Sequence, residues 1–272
     1  MLDILKSVLY GLISGFSEIA PISSRAHQAI IMQLFGMSHR DPVLDLLVHI
    51  GILASIVFCY KSELFQFAGS FSVSGRKHTS KDIKYENRFL KTAVIPLIIS
   101  MFFYSIGDKY EAQPLMIVLF LIINAIILFV PDHIRQSNKN AGQMGFLDSL
   151  LVGLSTLAYC LPGLSRISVG MSIAIGRGAE KQSAFRWLLV LSVPTLAFLI
   201  ILDLIGLFTL GLTAMTLWVF IGYVLSIAAA FVGCYIAIML IRFLMVNSGF
   251  SGFAYYCLGA AAFTFILYLI AF

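Results

Sequence analysis

The residues best suited to chemistry lie close together near the start of the chain, between positions 15 and 27. This segment reads Gly-Phe-Ser-Glu-Ile-Ala-Pro-Ile-Ser-Ser-Arg-Ala-His and stands between two apolar stretches. Ionisable side chains inside a membrane segment are costly to bury, so they favour a functional site. Each could instead be a helix cap or a side chain reaching for water, but those explanations do not account for the whole set. The candidates are Glu18, Ser23, Ser24, Arg25 and His27.

The composition places the whole chain in a membrane. Of its 272 residues, 60% are hydrophobic and only 11% are charged, and the mean hydropathy is +0.97. Soluble domains average about 25% charged residues, so this chain could not cover a water-facing surface. We therefore expect an all-α integral membrane protein. The net charge of +5 comes from loops between apolar stretches, which indicates membrane topology and anionic headgroups rather than nucleic acid.

Six apolar stretches approach the length of about 20 residues that spans a bilayer as a helix. They are 43–60, 91–107, 114–131, 187–206, 214–241 and 252–271. Two further regions are apolar at both ends but polar in the middle, namely 2–20 with 24–36, and 146–160 with 165–176. We expect each of these to be a re-entrant pair of broken helices, which is tolerated only where the backbone lines a cavity or is buried in protein.

The two broken regions share a short sequence pattern. Pro21-Ile-Ser-Ser-Arg and Pro162-Gly-Leu-Ser-Arg both read Pro-x-x-Ser-Arg and stand 141 positions apart. This pattern predicts one membrane domain, 1–272, built from two halves at about 1–135 and 142–272. Three spans separate the broken regions, so the halves would have inverted topology, as in many transporters. The two polar segments would then meet near the middle of the membrane.

The positions of Lys and Arg predict the orientation. The positive-inside rule assigns the more basic side of the topology to the cytoplasm. That side would carry Lys61, Arg76, Lys77, Lys81, Lys84, Arg88, Lys91, Arg135, Lys139, Arg177, Lys181, Arg186 and Arg242. The other side carries Lys6, Arg40 and Lys109. We therefore expect the first broken pair to enter from outside and the second from the cytoplasm.

If the polar segments meet, the first faces Ser165, Arg166 and Ser168 of the second. Two guanidinium groups with several hydroxyls form an oxyanion site. Phosphate is the natural ligand, because arginine binds its oxygens through a planar fork. Helices that restart after Pro21 and Pro162 would also present free backbone N–H groups to an anion.

The same segments contain candidates for proton transfer and nucleophilic attack. Glu18 and His27 form the predicted acid/base pair, in which the carboxylate orients the imidazole or binds a metal. Either Ser24 or His27 is the predicted nucleophile, and the sequence does not decide between them. His49, within a span, and Tyr159, near the second segment, are weaker candidates for lining the site.

Both polar segments resemble the signatures of a known family. Residues 15–27 are similar to the first signature of the bacterial undecaprenyl-diphosphatases, the bacitracin-resistance proteins. Residues 161–168 resemble the second signature, Pro-Gly-x-Ser-Arg-Ser, and the likeness extends along the chain, including Leu-Val-His-Ile-Gly at 47–51. The resemblance implies a multi-pass enzyme of the bacterial cytoplasmic membrane that removes the terminal phosphate of undecaprenyl diphosphate. It also implies an inverted repeat and a site open to the outer face.

The resemblance carries implied functional residues with it. By position, the catalytic residues would be Glu18, Ser24, His27 and Arg166. The resemblance and the predicted oxyanion site together give four substrate-binding candidates, which are Ser23, Arg25, Ser165 and Ser168. The family also implies a divalent cation, Mg²⁺ or Ca²⁺, with Glu18 as the one candidate ligand. The predicted partners are a polyprenyl diphosphate and the membrane, and the sequence leaves the oligomeric state open, a homodimer included.

The chain departs from the family pattern at three places. Ser14 stands where the family has the first of two glutamates, Arg25-Ala26 replaces a pair of small residues, and Ile167 displaces the second serine of the second signature. The lost carboxylate disfavours a metal held by paired acids. The positive charge of Arg25 could partly replace that of the metal by neutralising the diphosphate. The alternative function is a non-catalytic polyprenyl-phosphate transporter or flippase, because inverted repeats support alternating access.

Overall fold

The computed structural model describes residues 2–37, 40–72, 80–111, 113–134, 139–210, 216–247 and 249–271. Within these ranges the chain forms helices and no strand, as the sequence predicts. Three of the predicted cytoplasmic basic residues lie outside the described ranges, namely Arg76, Lys77 and Arg135.

Eleven α-helices are present in the described ranges. They are α1 Leu2–Ile19, α2 Ser24–Leu34, α3 Pro42–Gly69, α4 Lys81–Met101, α5 Asp108–Glu111, α6 Pro114–His133, α7 Phe146–Leu154, α8 Arg166–Gly176, α9 Lys181–Leu210, α10 Leu217–Asn247 and α11 Ser251–Ala271. Short 3₁₀ segments cover Tyr104–Ile106 and Ser155–Cys160. By length and composition, α3, α6, α9, α10 and α11 could cross a membrane, and α4 with the bent segment after it makes a sixth span. The predicted all-α membrane architecture is confirmed.

The predicted span 91–107 differs most from the helix found. α4 begins at Lys81, because Ser80 caps it, and ends at Met101. The chain then bends by 42° into Tyr104–Ile106 and α5. The bent segment contacts Arg25, the residue that follows Ser24 in α2.

The two broken regions match their predicted bounds closely. α1 and α2 are joined by residues 20–23, here called the first tip, and the second tip, 161–165, joins the 3₁₀ segment after α7 to α8. Each new helix starts at a serine cap: Ser23 Oγ accepts from Ala26 N at 3.5 Å, and Ser165 Oγ from Ser168 N at 3.4 Å. Entry of the two pairs from opposite membrane faces stays a prediction.

Helix packing follows a paired scheme. The contact between α1 and α10 is matched by one between α7 and α4. The contact between α3 and α10 is likewise matched by one between α9 and α4. α3 also contacts α9, and α6 contacts α11. Two halves related by a twofold axis would produce this pairing. The packing thus supports the predicted division at about 1–135 and 142–272, which itself stays a prediction.

Glycines on α1 set its close approach to α10. A Cβ atom on Gly15 would lie 2.1 Å from Ala230 O, and one on Gly11 would lie 2.6 Å from Ser226 O. Small residues four apart allow helix backbones to meet in this way. The contact places the end of α1, and with it Glu18, deep among the other helices.

Candidate active site

The two tips contact each other directly. Ser23 Oγ accepts a hydrogen bond from Gly163 N at 2.9 Å, across the halves of the chain. Ser23 has φ 74°, a conformation that L-residues rarely adopt and that tends to occur at functional sites. Gly163 has φ 122°, and a Cβ atom there would lie 2.5 Å from Phe120 Cβ. The predicted meeting of the polar segments is therefore present, and local backbone conformations build it.

Asn124 of α6 holds both tips in place. Its Nδ2 donates to Pro21 O at 2.9 Å, and its Oδ1 accepts from Ser165 N at 2.9 Å and from Ser168 Oγ. The sequence carries a signal for this residue, although it lies outside the two polar segments. Asn124 is the one amide in an otherwise apolar span, and polar residues within spans tend to be functional.

Glu18 lies at the centre of a buried polar cluster formed by Glu18, Ser24, Tyr159 and Arg166, here called the Glu18 cluster. Its Oε1 accepts from Arg166 Nη2 at 3.0 Å and Nε at 3.3 Å. Its Oε2 accepts from Ser24 Oγ at 2.6 Å and from the Tyr159 hydroxyl. Both carboxylate oxygens are thus satisfied, as burial of an anion requires. The donors come from both halves of the chain.

The cluster has the arrangement of a nucleophile with its general base. Ser24 Oγ donates to a carboxylate oxygen that could take its proton, and the Tyr159 hydroxyl lies 3.1 Å from the same Oγ. Arg166 brings a guanidinium fork suited to phosphate oxygens. Ser24 and Arg166 are also the first residues of α2 and α8, where backbone N–H groups favour anions.

His27 does not join this cluster. Its Nδ1 donates to Ser23 O at 2.8 Å, and its Nε2 lies 2.8 Å from the Tyr256 hydroxyl, with the two rings stacked at 5.6 Å. In the described part of the chain no hydrogen bond joins His27 to Glu18, so the predicted acid/base pair is not formed here. Both imidazole nitrogens are instead engaged with Ser23 and with α11.

His27 and Tyr256 face an apolar groove of about 680 Å³ between α1, α2, α10 and α11. Its walls include Leu12, Phe16, Ile30, Ile236 and Phe263. Ser17 lines both this groove and the small cavity of the Glu18 cluster. Ser17 therefore lies between the groove and the cavity of the cluster.

Arg25 lines the small cavity beside the Glu18 cluster, as Arg166 does, but its guanidinium is held by other carboxylates than Glu18. Its Nε donates to Glu111 at 2.5 Å and its Nη2 to Asp108 at 2.6 Å. Its Nη1 donates to Tyr104 O at 2.9 Å and Tyr159 O at 3.1 Å. Successive residues on a helix point about 100° apart, so the position after Ser24 faces the bent segment that follows α4. Contact of Arg25 with a diphosphate stays a prediction.

Further ion pairs extend along this side of the bundle. Arg40 donates to Glu111 at 2.8 Å, so one carboxylate joins two arginines. His49 pairs with Asp203 at 2.6 Å, which links α3 to α9. Within the described ranges His49 makes no hydrogen bond to the Glu18 cluster, so its predicted place in the site is not supported by direct contact.

The residues of the cluster do not fit a protein-held divalent cation. Glu18 is its one carboxylate, and both oxygens already accept hydrogen bonds. Ser14, one helical turn before Glu18, is buried, and its Oγ has no hydrogen-bond partner among the residues that the structure describes. Across the described residues, no group of three or more His, Cys, Asp or Glu side chains could hold a metal ion. Mg²⁺ and Ca²⁺ require several oxygen ligands, which the residues of this cluster do not supply.

The cavity beside the cluster holds about 10 Å³, which is room for a single water. A phosphate could enter only if Arg166 released Glu18 and turned to the incoming oxygens. The structure is therefore a closed form of the site, in which the Arg166 guanidinium is bonded to Glu18 and not to a phosphate.

Comparison with known proteins agrees with this geometry. The family model for the bacitracin resistance protein BacA matches residues 7–263. Undecaprenyl-diphosphatase 1 of Shouchella clausii is 27% identical, over 97% of this chain and 96% of its own length. Undecaprenyl-diphosphatases of Prochlorococcus marinus and Campylobacter concisus are 25% and 28% identical, covering 94% and 72% of this chain and 96% and 74% of their own lengths. Because the family match extends over nearly all of its length, the chain belongs to the bacitracin resistance protein BacA family.

Proposed function

We propose that this protein hydrolyses undecaprenyl diphosphate to the lipid monophosphate and inorganic phosphate, which recycles the lipid carrier of cell-wall synthesis. Family membership and the names of the relatives support this activity. The observation that carries it is the hydrogen bond of 2.6 Å from Ser24 Oγ to Glu18, with Arg166 on the other carboxylate oxygen. A paired nucleophile and base next to an arginine suits phosphoryl transfer.

The first step transfers the terminal phosphoryl group to Ser24. Arg166 leaves Glu18 and binds the diphosphate oxygens. Ser24 Oγ attacks the terminal phosphorus while its proton moves to Glu18 Oε2, to which it is already hydrogen-bonded. The bond from phosphorus to the bridging oxygen breaks, and the electron pair leaves with the lipid monophosphate. In-line transfer of this kind depends mostly on positioning and on charge stabilisation.

The second step releases phosphate. A water oxygen attacks the phosphorus on Ser24, and the Oγ–phosphorus bond breaks. Glu18 returns its proton to Ser24 Oγ, and both water protons remain on the product, which leaves as dihydrogen phosphate. The loose transition state of phosphoryl transfer requires little prior deprotonation of the water, so the cycle closes with Glu18 ionised again.

The groove supplies the place for the polyprenyl tail. Its apolar walls match a hydrocarbon chain, and Ser17 marks its connection with the cluster. A lipid in the groove would bring its proximal phosphate to His27, since His27 is a polar side chain among its mostly apolar lining residues. We therefore assign His27 to the leaving monophosphate and Ser24 to nucleophilic attack, because Ser24 and not His27 is bonded to Glu18.

The hydroxyls of Ser23, Ser165 and Ser168 are occupied in holding the tips. The first two cap α2 and α8, and Ser168 donates to Asn124. Their predicted direct contact with substrate stays a prediction. In this closed form they position the groups that react.

The protein is a multi-pass membrane protein, and we place it in the bacterial cytoplasmic membrane with the site opening to the outer face. Residues predicted to share a side contact each other, since Arg186 bonds Glu86 and Lys6 bonds Phe35 O; which side faces out rests on the distribution of Lys and Arg. Labelling of Lys109→Cys by a membrane-impermeant reagent in intact cells checks it. A homodimer remains a prediction that cross-linking in membranes tests.

The transporter alternative is not favoured, because the relatives are named as diphosphatases and the cluster is built for proton transfer. The decisive experiment measures phosphate release from undecaprenyl diphosphate by the purified protein, without added metal and with Mg²⁺ or Ca²⁺. We expect release that Glu18→Gln abolishes while lipid binding persists. Lipid binding without release under every condition would overturn the proposed function and favour the transporter.

A further inference from the structure

Tyr159 places a buried hydroxyl beside Glu18 and Ser24. It lies in the 3₁₀ segment that leads into the second tip. Its hydroxyl donates to Glu18 Oε2 and stands 3.1 Å from Ser24 Oγ. The phenol oxygen is therefore in contact with both the predicted base and the predicted nucleophile.

The position of this hydroxyl is fixed from behind. Arg25 Nη1 donates to Tyr159 O at 3.1 Å, and Arg25 is itself held by Asp108 and Glu111. The Tyr159 ring also packs beside Tyr104, with centroids 5.8 Å apart. A donor fixed in this way needs no reorganisation when charge develops nearby, which is the condition for effective electrostatic catalysis.

We propose that Tyr159 is a further catalytic residue, whose hydroxyl donates a hydrogen bond to a non-bridging oxygen of the transferring phosphoryl group. The inference rests on the proposed function. A phosphorus bonded to Ser24 Oγ places its other oxygens within reach of a donor that stands 3.1 Å from that Oγ. As Glu18 takes the Ser24 proton, it loses its negative charge and becomes a weaker acceptor, so the Tyr159 hydrogen bond passes to the phosphoryl oxygen. Tyr159 keeps its own proton throughout.

The chain has a specific need for such a donor. The Arg25 guanidinium is bonded to Asp108 and Glu111 and not to Glu18. Among the described residues, Arg166 is the one cation that hydrogen-bonds to the Glu18 carboxylate. Tyr159 adds a second fixed donor to stabilise the charge on the phosphoryl oxygens.

The test compares Tyr159→Phe with Tyr104→Phe, its neighbour on the same side of the cluster. Removing one preorganised donor lowers kcat by about 10²-fold or more. We expect that loss in Tyr159→Phe, with KM unchanged within about threefold, because the hydrogen bond forms only as the phosphoryl group is transferred. Tyr104→Phe keeps the ring under the Arg25 guanidinium, and among the described residues the Tyr104 hydroxyl makes no hydrogen bond to the cluster, so this variant should retain the wild-type kcat.

A second measurement separates a catalytic hydroxyl from a structural one. Undecaprenyl diphosphate with sulfur in place of one terminal non-bridging oxygen weakens any hydrogen bond to that atom. The ratio of oxygen to sulfur rates should therefore be large in the wild type and in Tyr104→Phe, and markedly smaller in Tyr159→Phe. This ratio does not depend on the fraction of folded protein, because both substrates are measured on one preparation.

The outcomes are distinguishable from failure of the proposed function. A wild-type protein that releases no phosphate overturns both the proposed function and this inference. An active wild type overturns the inference alone if Tyr159→Phe keeps kcat within about threefold, or if its oxygen-to-sulfur ratio equals that of the wild type.

Discussion

The two tips share a sequence pattern but differ in where the following helix begins. The Pro-x-x-Ser-Arg patterns stand 141 positions apart and align Arg25 with Arg166. The serine caps, however, are Ser23 and Ser165, which stand 142 positions apart. The first helical residue is therefore Ser24 in one half and Arg166 in the other. Ser24, the proposed nucleophile, thus has the same position in its helix as Arg166, the proposed phosphate ligand.

This shift of one residue separates the two arginines. Arg25 lies one position further along its helix, which turns it by about 100° away from the direction of its counterpart. It reaches Asp108 and Glu111, whereas Arg166 reaches Glu18. The site is thus not built from two copies of one chemistry. In the proposed mechanism the first half supplies the base Glu18 and the nucleophile Ser24, and the second supplies Arg166 and Tyr159.

The largest expected difference between the halves comes from replacing each arginine by lysine. Arg166→Lys should lower kcat by about 10³-fold, because a lysine cannot present a planar fork to the transferring phosphoryl group. Arg25→Lys should retain kcat within about tenfold but lower the free energy of unfolding by about 2 kcal/mol, because it disrupts a buried ion-pair network. Phosphate release and thermal unfolding of the two purified variants measure these effects. Equal losses of kcat would show that the arginines act alike, as the sequence pattern implies.

A smaller effect is expected where the first half meets the lipid. His27→Ala should raise KM for undecaprenyl diphosphate about tenfold, since one hydrogen bond to a charged phosphate is lost. It should leave hydrolysis of a short-chain, water-soluble diphosphate nearly unchanged, because that substrate does not depend on the groove. Tyr256→Phe removes the hydroxyl beside His27 Nε2 and serves as the matched control. Complete loss of turnover on both substrates would instead place His27 at the reacting phosphorus.

The smallest effect is expected at Ser14, one helical turn before Glu18. Its Oγ is buried without a hydrogen-bond partner, so Ser14→Ala removes an unsatisfied polar group. The free energy of unfolding should stay the same or rise by about 1 kcal/mol, with unchanged phosphate release. Ser55→Ala is the control, because Ser55 Oγ is likewise buried without a partner. A loss of activity in Ser14→Ala alone would show that this hydroxyl replaces the missing carboxylate functionally.

Much of the fold follows from local properties of the sequence. Apolar runs near 20 residues identify the spans, and the tips break the pattern with proline and hydroxyl residues, so the bounds of α1, α2 and α8 were predicted well. The start of α4 was not, because charged residues from Lys81 onward conceal a helix that lies beyond the apolar run. Hydropathy identifies the part of a helix that lies in lipid, but it does not identify the turns that extend beyond the lipid.

The site was predicted in part for a similar reason. The meeting of Glu18 with Ser24 and Arg166 followed from the repeat and from their chemistry. The direction of Arg25 depends on which serine caps α2, and a five-residue pattern does not contain that information. His27 was paired with Glu18 because both carry titratable groups, but Tyr256, more than two hundred positions away, decides where its ring lies. Such partners depend on tertiary packing.

The central claim is that the first half provides the nucleophile and the second half the phosphate ligand. Its most direct test is rapid quenching of the purified protein with undecaprenyl diphosphate labelled in the terminal phosphate, in both acid and alkali, followed by peptide mapping. Transient label on the peptide that contains Ser24, acid-stable and absent from Ser24→Ala, is the predicted result. Turnover with an acid-labile label on His27, or with no label on the protein, would contradict it.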